Sequence, residues 1–153
     1  MASREIVSHS EEETIRAGRE LAARLRPPVV ILLSGDLGAG KTTLAKGIIS
    51  GLGAAREEDV TSPTFTLVHV FRNSVTADKV YHVDLYRVGT LHDFETLGLE
   101  DAFAEPSVVI VEWAERLAIR TDWPRVEVRL QHLEEQSRRI QISENEAPRA
   151  GGS

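Results

Sequence analysis

The sequence predicts a three-layer α/β domain around a mainly parallel sheet with one antiparallel element, and three observations predict it. The short apolar run Val29-Val30-Ile31-Leu32-Leu33 reads as a strand buried on both faces. A glycine-rich turn follows it directly, and a helical stretch, Thr43–Ile49, follows the turn. Farther along, Val108-Val109-Ile110-Val111 has the same buried-strand character, while two alternating segments between these runs suggest a hairpin.

The elements follow in order. Ser10-Glu11-Glu12-Glu13 has capping-box spacing, and Ile15, Gly18, Leu21, Ala22 and Leu25 then trace one helical face. Pro27-Pro28 stops that helix and leads into the first strand. The helix after the glycine turn ends near Gly51-Leu52-Gly53, a C-cap signal. Thr64–Phe71 and Lys79–Tyr86 form the hairpin around a polar turn at Asn73-Ser74 and Asp78. A weaker helical pattern runs through Leu91, Phe94 and Leu97, ahead of the Val108 run. Val126–Leu130 and Arg138–Ile142 read as terminal strands. Residues 1–143 thus make a single domain, and 144–153, with Pro148 and Gly151-Gly152, read as a flexible tail. There is no internal repeat and no interdomain linker.

Composition narrows the function. A chain of 153 residues can bury a proper core as one domain. The absence of cysteine excludes disulfides and thiolate metal sites and fits a reducing cytoplasm. No apolar leader core or membrane-length segment is present, so no membrane role is expected. The net charge of −6 argues against a surface built to grip nucleic acid, so any link to RNA runs through a partner.

The glycine turn carries the chemistry. Gly35-Asp36-Leu37-Gly38-Ala39-Gly40-Lys41-Thr42 matches G-x-x-x-x-G-K-[ST] between a strand and a helix, the context such a motif requires. Gly35, Gly38 and Gly40 allow positive φ and close approach of a ligand. The converging N–H groups and the positive end of the next helix make an anion cradle. Lys41 reaches the β- and γ-phosphates, and the Thr42 hydroxyl ligates Mg²⁺. The expectation is a P-loop NTPase-like domain binding a nucleoside triphosphate.

Two acids compete for the next role. Val108-Val109-Ile110-Val111-Glu112 is a buried strand tipped by a carboxylate, placed where open α/β sheets bind ligands. In His82-Val83-Asp84-Leu85-Tyr86-Arg87, strand periodicity puts Tyr81, Val83 and Leu85 on an apolar face and His82, Asp84 and Tyr86 on a polar one. That polar face needs mutual hydrogen bonds, such as one between His82 and Asp84, or a wet cleft. Glu112 is the preferred magnesium-linked acid on its strand context, with Asp84 assisting. Trp113 beside Glu112 reads as half-buried packing, with a contact near the nucleotide as the alternative. Chemistry alone reads Thr61-Ser62-Pro63-Thr64-Phe65 as a polar turn with local hydroxyl bonds rather than a γ-phosphate sensor.

In combination, G-D-L-G-A-G-K-T-T, S-P-T-F-T-L-V, Y-H-V-D-L-Y-R and V-E-W resemble the bacterial TsaE (YjeE) family, from about Ser10 to Leu130. The resemblance implies a small P-loop ATPase needed for threonylcarbamoyl modification of adenosine 37 (t6A) in tRNA. It implies action with the TsaD and TsaB proteins, the transfer chemistry belonging to TsaD and the ATPase resetting the complex. By position it makes Lys41 and Thr42 holders of phosphate and Mg²⁺, Thr43 a support of the loop and Glu112 a magnesium-linked acid. Asp84 becomes a second acid needed for hydrolysis, and Ser62 to Phe65 a switch-like segment. Phe65 stands where some members carry Tyr, so the ring matters more than its hydroxyl. No motif falls after Leu130.

ATP is expected over GTP because no guanine-reading N-K-x-D occurs. The resemblance places adenine contacts near Ser10 to Thr14. Two other classes stay open, a P-loop small-molecule kinase and a nucleotide-gated binding module. The kinase loses ground because the lid-like stretch Leu91–Phe103 has no Arg or Lys.

Overall fold

The structure, a computed structural model, describes residues 2–36, 40–63, 67–76, 78–86, 99–116, 119 and 121–145. Seven strands form one sheet: β1 (Ala2–Ser8), β2 (Val29–Gly35), β3 (Val68–Arg72), β4 (Lys79–Asp84), β5 (Val108–Glu112), β6 (Arg125–His132) and β7 (Arg138–Asn145), ordered β1-β7-β6-β2-β5-β4-β3. The centre is parallel, since β6, β5 and β4 all run with β2. The edges are antiparallel, β3 against β4 on one side and β7 and β1 beyond β6 on the other. This is a mixed, mostly parallel P-loop NTPase-like sheet, with the expected hairpin in place.

The far edge departs from the sequence reading. β1 has no counterpart there, because its short polar alternation gives little signal until Ile6 finds Ile140 across the ladder. The same pairing carries β7 through Asn145, so Glu144 and Asn145 are sheet residues paired with Ala2 and Arg125, not the start of a tail. The rest of that tail, the helix expected through Leu91 to Leu97 and the first residues of the Thr64–Phe71 strand lie outside the described residues.

Two longer helices, α1 (Glu11–Ala22) and α2 (Lys41–Gly51), pack on one face of the sheet. Ser10 caps α1 by accepting from the Glu13 N–H, as the capping-box spacing requires. The helix closes at Ala22, ahead of Pro27, and Leu25 is buried beyond its end. α2 ends in a Schellman turn: Gly53 at φ 73° donates to Ser50 O, and Ala54 donates to Ile49 O. Between the helices lies almost nothing but backbone. A Cβ on Gly47 would meet Ile15 O at 2.1 Å, and one on Gly18 would meet Leu44 O at 2.5 Å. Leu21, Leu44, Ile48 and Ile49 complete this side of the core against Ile31, Leu33, Val128 and Ile140.

The other face is covered unevenly. The short α3 (Glu100–Ala104), with Trp123, packs on Val30, Tyr81, Val83, Val109 and Val111. Over β1, β7 and β6 the described residues leave a broad polar groove that includes Glu5, Glu127, Arg129 and Gln141.

Candidate nucleotide site

The register of the parallel strands brings the chemistry to one edge of the sheet. Leu33 on β2 and Asp84 on β4 both pair with Glu112 on β5, so the three strands end together where α2 begins. Ligands of open α/β sheets bind at that edge. An open cleft of about 550 Å³ lies there, lined by Lys41, Thr42, Thr43, Ser62, Asp84 and Glu112 among others. Widely separated stretches of sequence thus share one site.

Gly40 opens α2 at φ 98° and offers no side-chain cap, which leaves the first N–H groups of the helix turned to the cleft. Gly35 sits at φ 144°, the other end of the loop. Its N–H donates to Glu115 Oε2 at 3.1 Å. Leu37, Gly38 and Ala39 lie outside the described residues. Lys41 is 5 % exposed, and its ammonium donates to Gly35 O at 2.5 Å and Asp36 O at 2.9 Å. It also stands 3.9 Å over the Trp113 ring. Burial holds the Lys41 pKa below its ordinary value, while Glu115, Glu112, Asp36 and Asp84 pull it upward.

Thr42 and Glu112 are already joined. The Thr42 hydroxyl lies 2.8 Å from Glu112 Oε1 and 3.1 Å from Oε2. On its far side the same carboxylate takes His82 Nε2 at 2.5 Å. Asp84 is not the partner of His82 among the described residues. Its carboxylate accepts from Ser62 Oγ at 3.0 Å and from the Tyr86 N–H at 2.8 Å. The Ser62 bond spans 22 residues, so this hydroxyl works across the cleft and not only within its own turn. Thr64 and Phe65 lie outside the described residues.

Trp113 packs against the core and also lines the cleft. It is half-buried at φ 60°, covers Lys41 and stacks at 4.8 Å on Tyr86, with Arg116 over both rings. Two residues escaped the sequence reading. Glu115 carried no signal beyond its closeness to Glu112. Arg138, on β7, lines the cleft beside Gly40, with its Nε 3.3 Å from where a Gly40 Cβ would stand. Glu11, at the start of α1, lines the same cleft.

The donor chemistry suits a hard divalent cation: a hydroxyl and two carboxylates face a helix N-terminus, all oxygen donors. The residues present fit Mg²⁺ with a polyphosphate.

A curated relative from Treponema pallidum (strain Nichols), named tRNA threonylcarbamoyladenosine biosynthesis protein TsaE, is 36% identical over 90% of this chain and 98% of its own. A Bacillus subtilis (strain 168) protein of the same name is 37% identical, over 84% of this chain and 78% of its own. The crystal structure of YdiB from Bacillus subtilis superposes with a TM-score of 0.70 at 30% identity, over 94% of this chain and 86% of that one. The family model described as Threonylcarbamoyl adenosine biosynthesis protein TsaE matches residues 8–140, and this chain belongs to the TsaE family.

Proposed function

We propose that this chain is a Mg²⁺-dependent ATPase that serves threonylcarbamoyl modification of tRNA adenosine 37 as an accessory to TsaD and TsaB. The observation that carries the reading is the convergence of Lys41, Thr42, Asp84 and Glu112 on one cleft at the start of α2. Thr42 and Glu112 would hold Mg²⁺, which would supply neutralisation of phosphate charge. Lys41 exchanges its two carbonyl partners for phosphate oxygens, a gain because its buried charge then meets an anion. Asp84, braced by Ser62 and the Tyr86 N–H, orients the attacking water. Thr43, Glu11 and Arg138 wall the remainder of the cleft, which would take the sugar and base.

The acidic net charge supports contact with tRNA only through the partner proteins. A chain without cysteine, and without any described helix long and apolar enough to cross a membrane, suits work in the cytoplasm. ATP turnover with Mg²⁺, measured with and without the TsaD–TsaB pair, tests the proposal. Stimulation by the pair, abolished by Lys41→Ala, is the expected result. Tight ATP binding without turnover in either setting overturns it in favour of a nucleotide-gated binding module.

A further inference from the structure

We propose that His82 is a positioning residue, which aims the Glu112 carboxylate at Thr42 and so sets the affinity of the site for Mg²⁺. The inference rests on the reading of the cleft as a Mg²⁺–nucleotide site and adds a residue to which that reading gives no role. His82 sits on β4 at 0 % exposure, between His69 of β3 and Ile110 of β5 in the sheet register. Among the described residues its hydrogen-bonding partner is Glu112, at 2.5 Å from Nε2, while Nδ1 is buried with none.

That arrangement is poor as packing. A leucine or phenylalanine would fill the same space without burying an unpaired ring nitrogen. What the imidazole supplies is one N–H directed at a carboxylate that is itself only 2 % exposed. A carboxylate accepts and cannot donate, so Nε2 carries the hydrogen. Glu112 is therefore held from both sides, by His82 on Oε2 and by the Thr42 hydroxyl across the cleft edge. Without the imidazole, the hydroxyl would be the carboxylate's remaining partner among the described residues, and the carboxylate would turn about its last side-chain bond. Partners behind a metal-linked carboxylate tune metal affinity in this way.

Calorimetric titration with ADP, in EDTA and in Mg²⁺, separates the roles in the parent, His82→Leu and His82→Gln. Leucine keeps the bulk and removes the donor, whereas glutamine places an amide N–H near the position of Nε2. In EDTA all three bind ADP within about 2-fold, while the Mg²⁺ enhancement falls about 10-fold or more in His82→Leu and returns to within about 3-fold in His82→Gln. In a Glu112→Gln background, His82→Leu lowers the enhancement no further, because its effect passes through that carboxylate. Should His82→Leu fail to fold, His82→Asn, whose shorter amide stops short of Glu112, takes its place with the same expected loss.

An unchanged enhancement in the donorless variant overturns the proposal. So does a glutamine variant that binds ADP normally in EDTA yet shows no restored enhancement, or a parent indifferent to Mg²⁺. None of these readings needs turnover, so a parent that binds MgADP but hydrolyses no ATP sinks the ATPase proposal and leaves this one standing.

Discussion

Beyond Val80, strand β4 buries both of its faces but fills them with opposite chemistry. Tyr81 and Val83 point into an apolar cluster with Val109, Val111 and Val30. His82 and Asp84 point the other way, toward α2, where they meet Glu112 and Ser62. Both faces lie equally deep: Val83 and His82 are each 0 % exposed, and Asp84 is 2 % exposed. Burial alone therefore does not distinguish scaffold from site. The difference is what each side chain must be given once buried. An apolar side chain needs only neighbours, whereas an imidazole or carboxylate needs aimed donors and acceptors. One face should respond to substitution in stability, and the other in chemistry.

The largest expected effect lies on the polar face. Asp84→Asn keeps the shape and the acceptor oxygen but weakens the base, so turnover should fall about 100-fold or more. Nucleotide affinity should stay within a few-fold, and the melting temperature should hold. A loss of stability without a loss of turnover, in the same steady-state and thermal assays, would break the contrast.

Its neighbour should behave in the opposite way. Val83→Ala should cost about 2 kcal/mol in urea unfolding, from lost burial and the cavity left behind. Its kcat and KM should stay near parental values below the transition.

The smallest effect sharpens the contrast at Lys41, a charge that its burial does not favour. With its folded pKa below 10.5, the unfolded chain binds more protons between the two values, so stability rises with pH across that window. The cost is therefore fully present at neutral pH. Lys41→Met should be more stable than the parent near pH 7, and the rise toward pH 10 should flatten. Denaturation midpoints of the two proteins across that range check the sign.

The alternation along β4 was legible in the sequence because a strand of period two announces its faces. So were the P-loop and the carboxylate at the end of β5, since strand, turn and helix succeed one another locally. What stayed hidden depends on partners distant in sequence. Arg138 reaches Gly40 only because the β6–β7 hairpin folds back beside β2. His82 was visible as a polar residue on a buried face, but its choice of Glu112 over Asp84 follows from strand register. β1 is a strand only in the company of β7.

The glycine crossing of α1 and α2 has a mechanical meaning. Side chains between two helices act as a compliant layer, which slides and repacks under load. Gly18 and Gly47 leave no such layer, and the backbones bear directly on one another. Both helices begin at the cleft, α1 with Glu11 and α2 with Lys41. A push on the start of either helix is therefore carried by the pair together, as by two beams riveted at mid-span. A partner protein seated on α1 would hold a lever on the start of α2 without touching it.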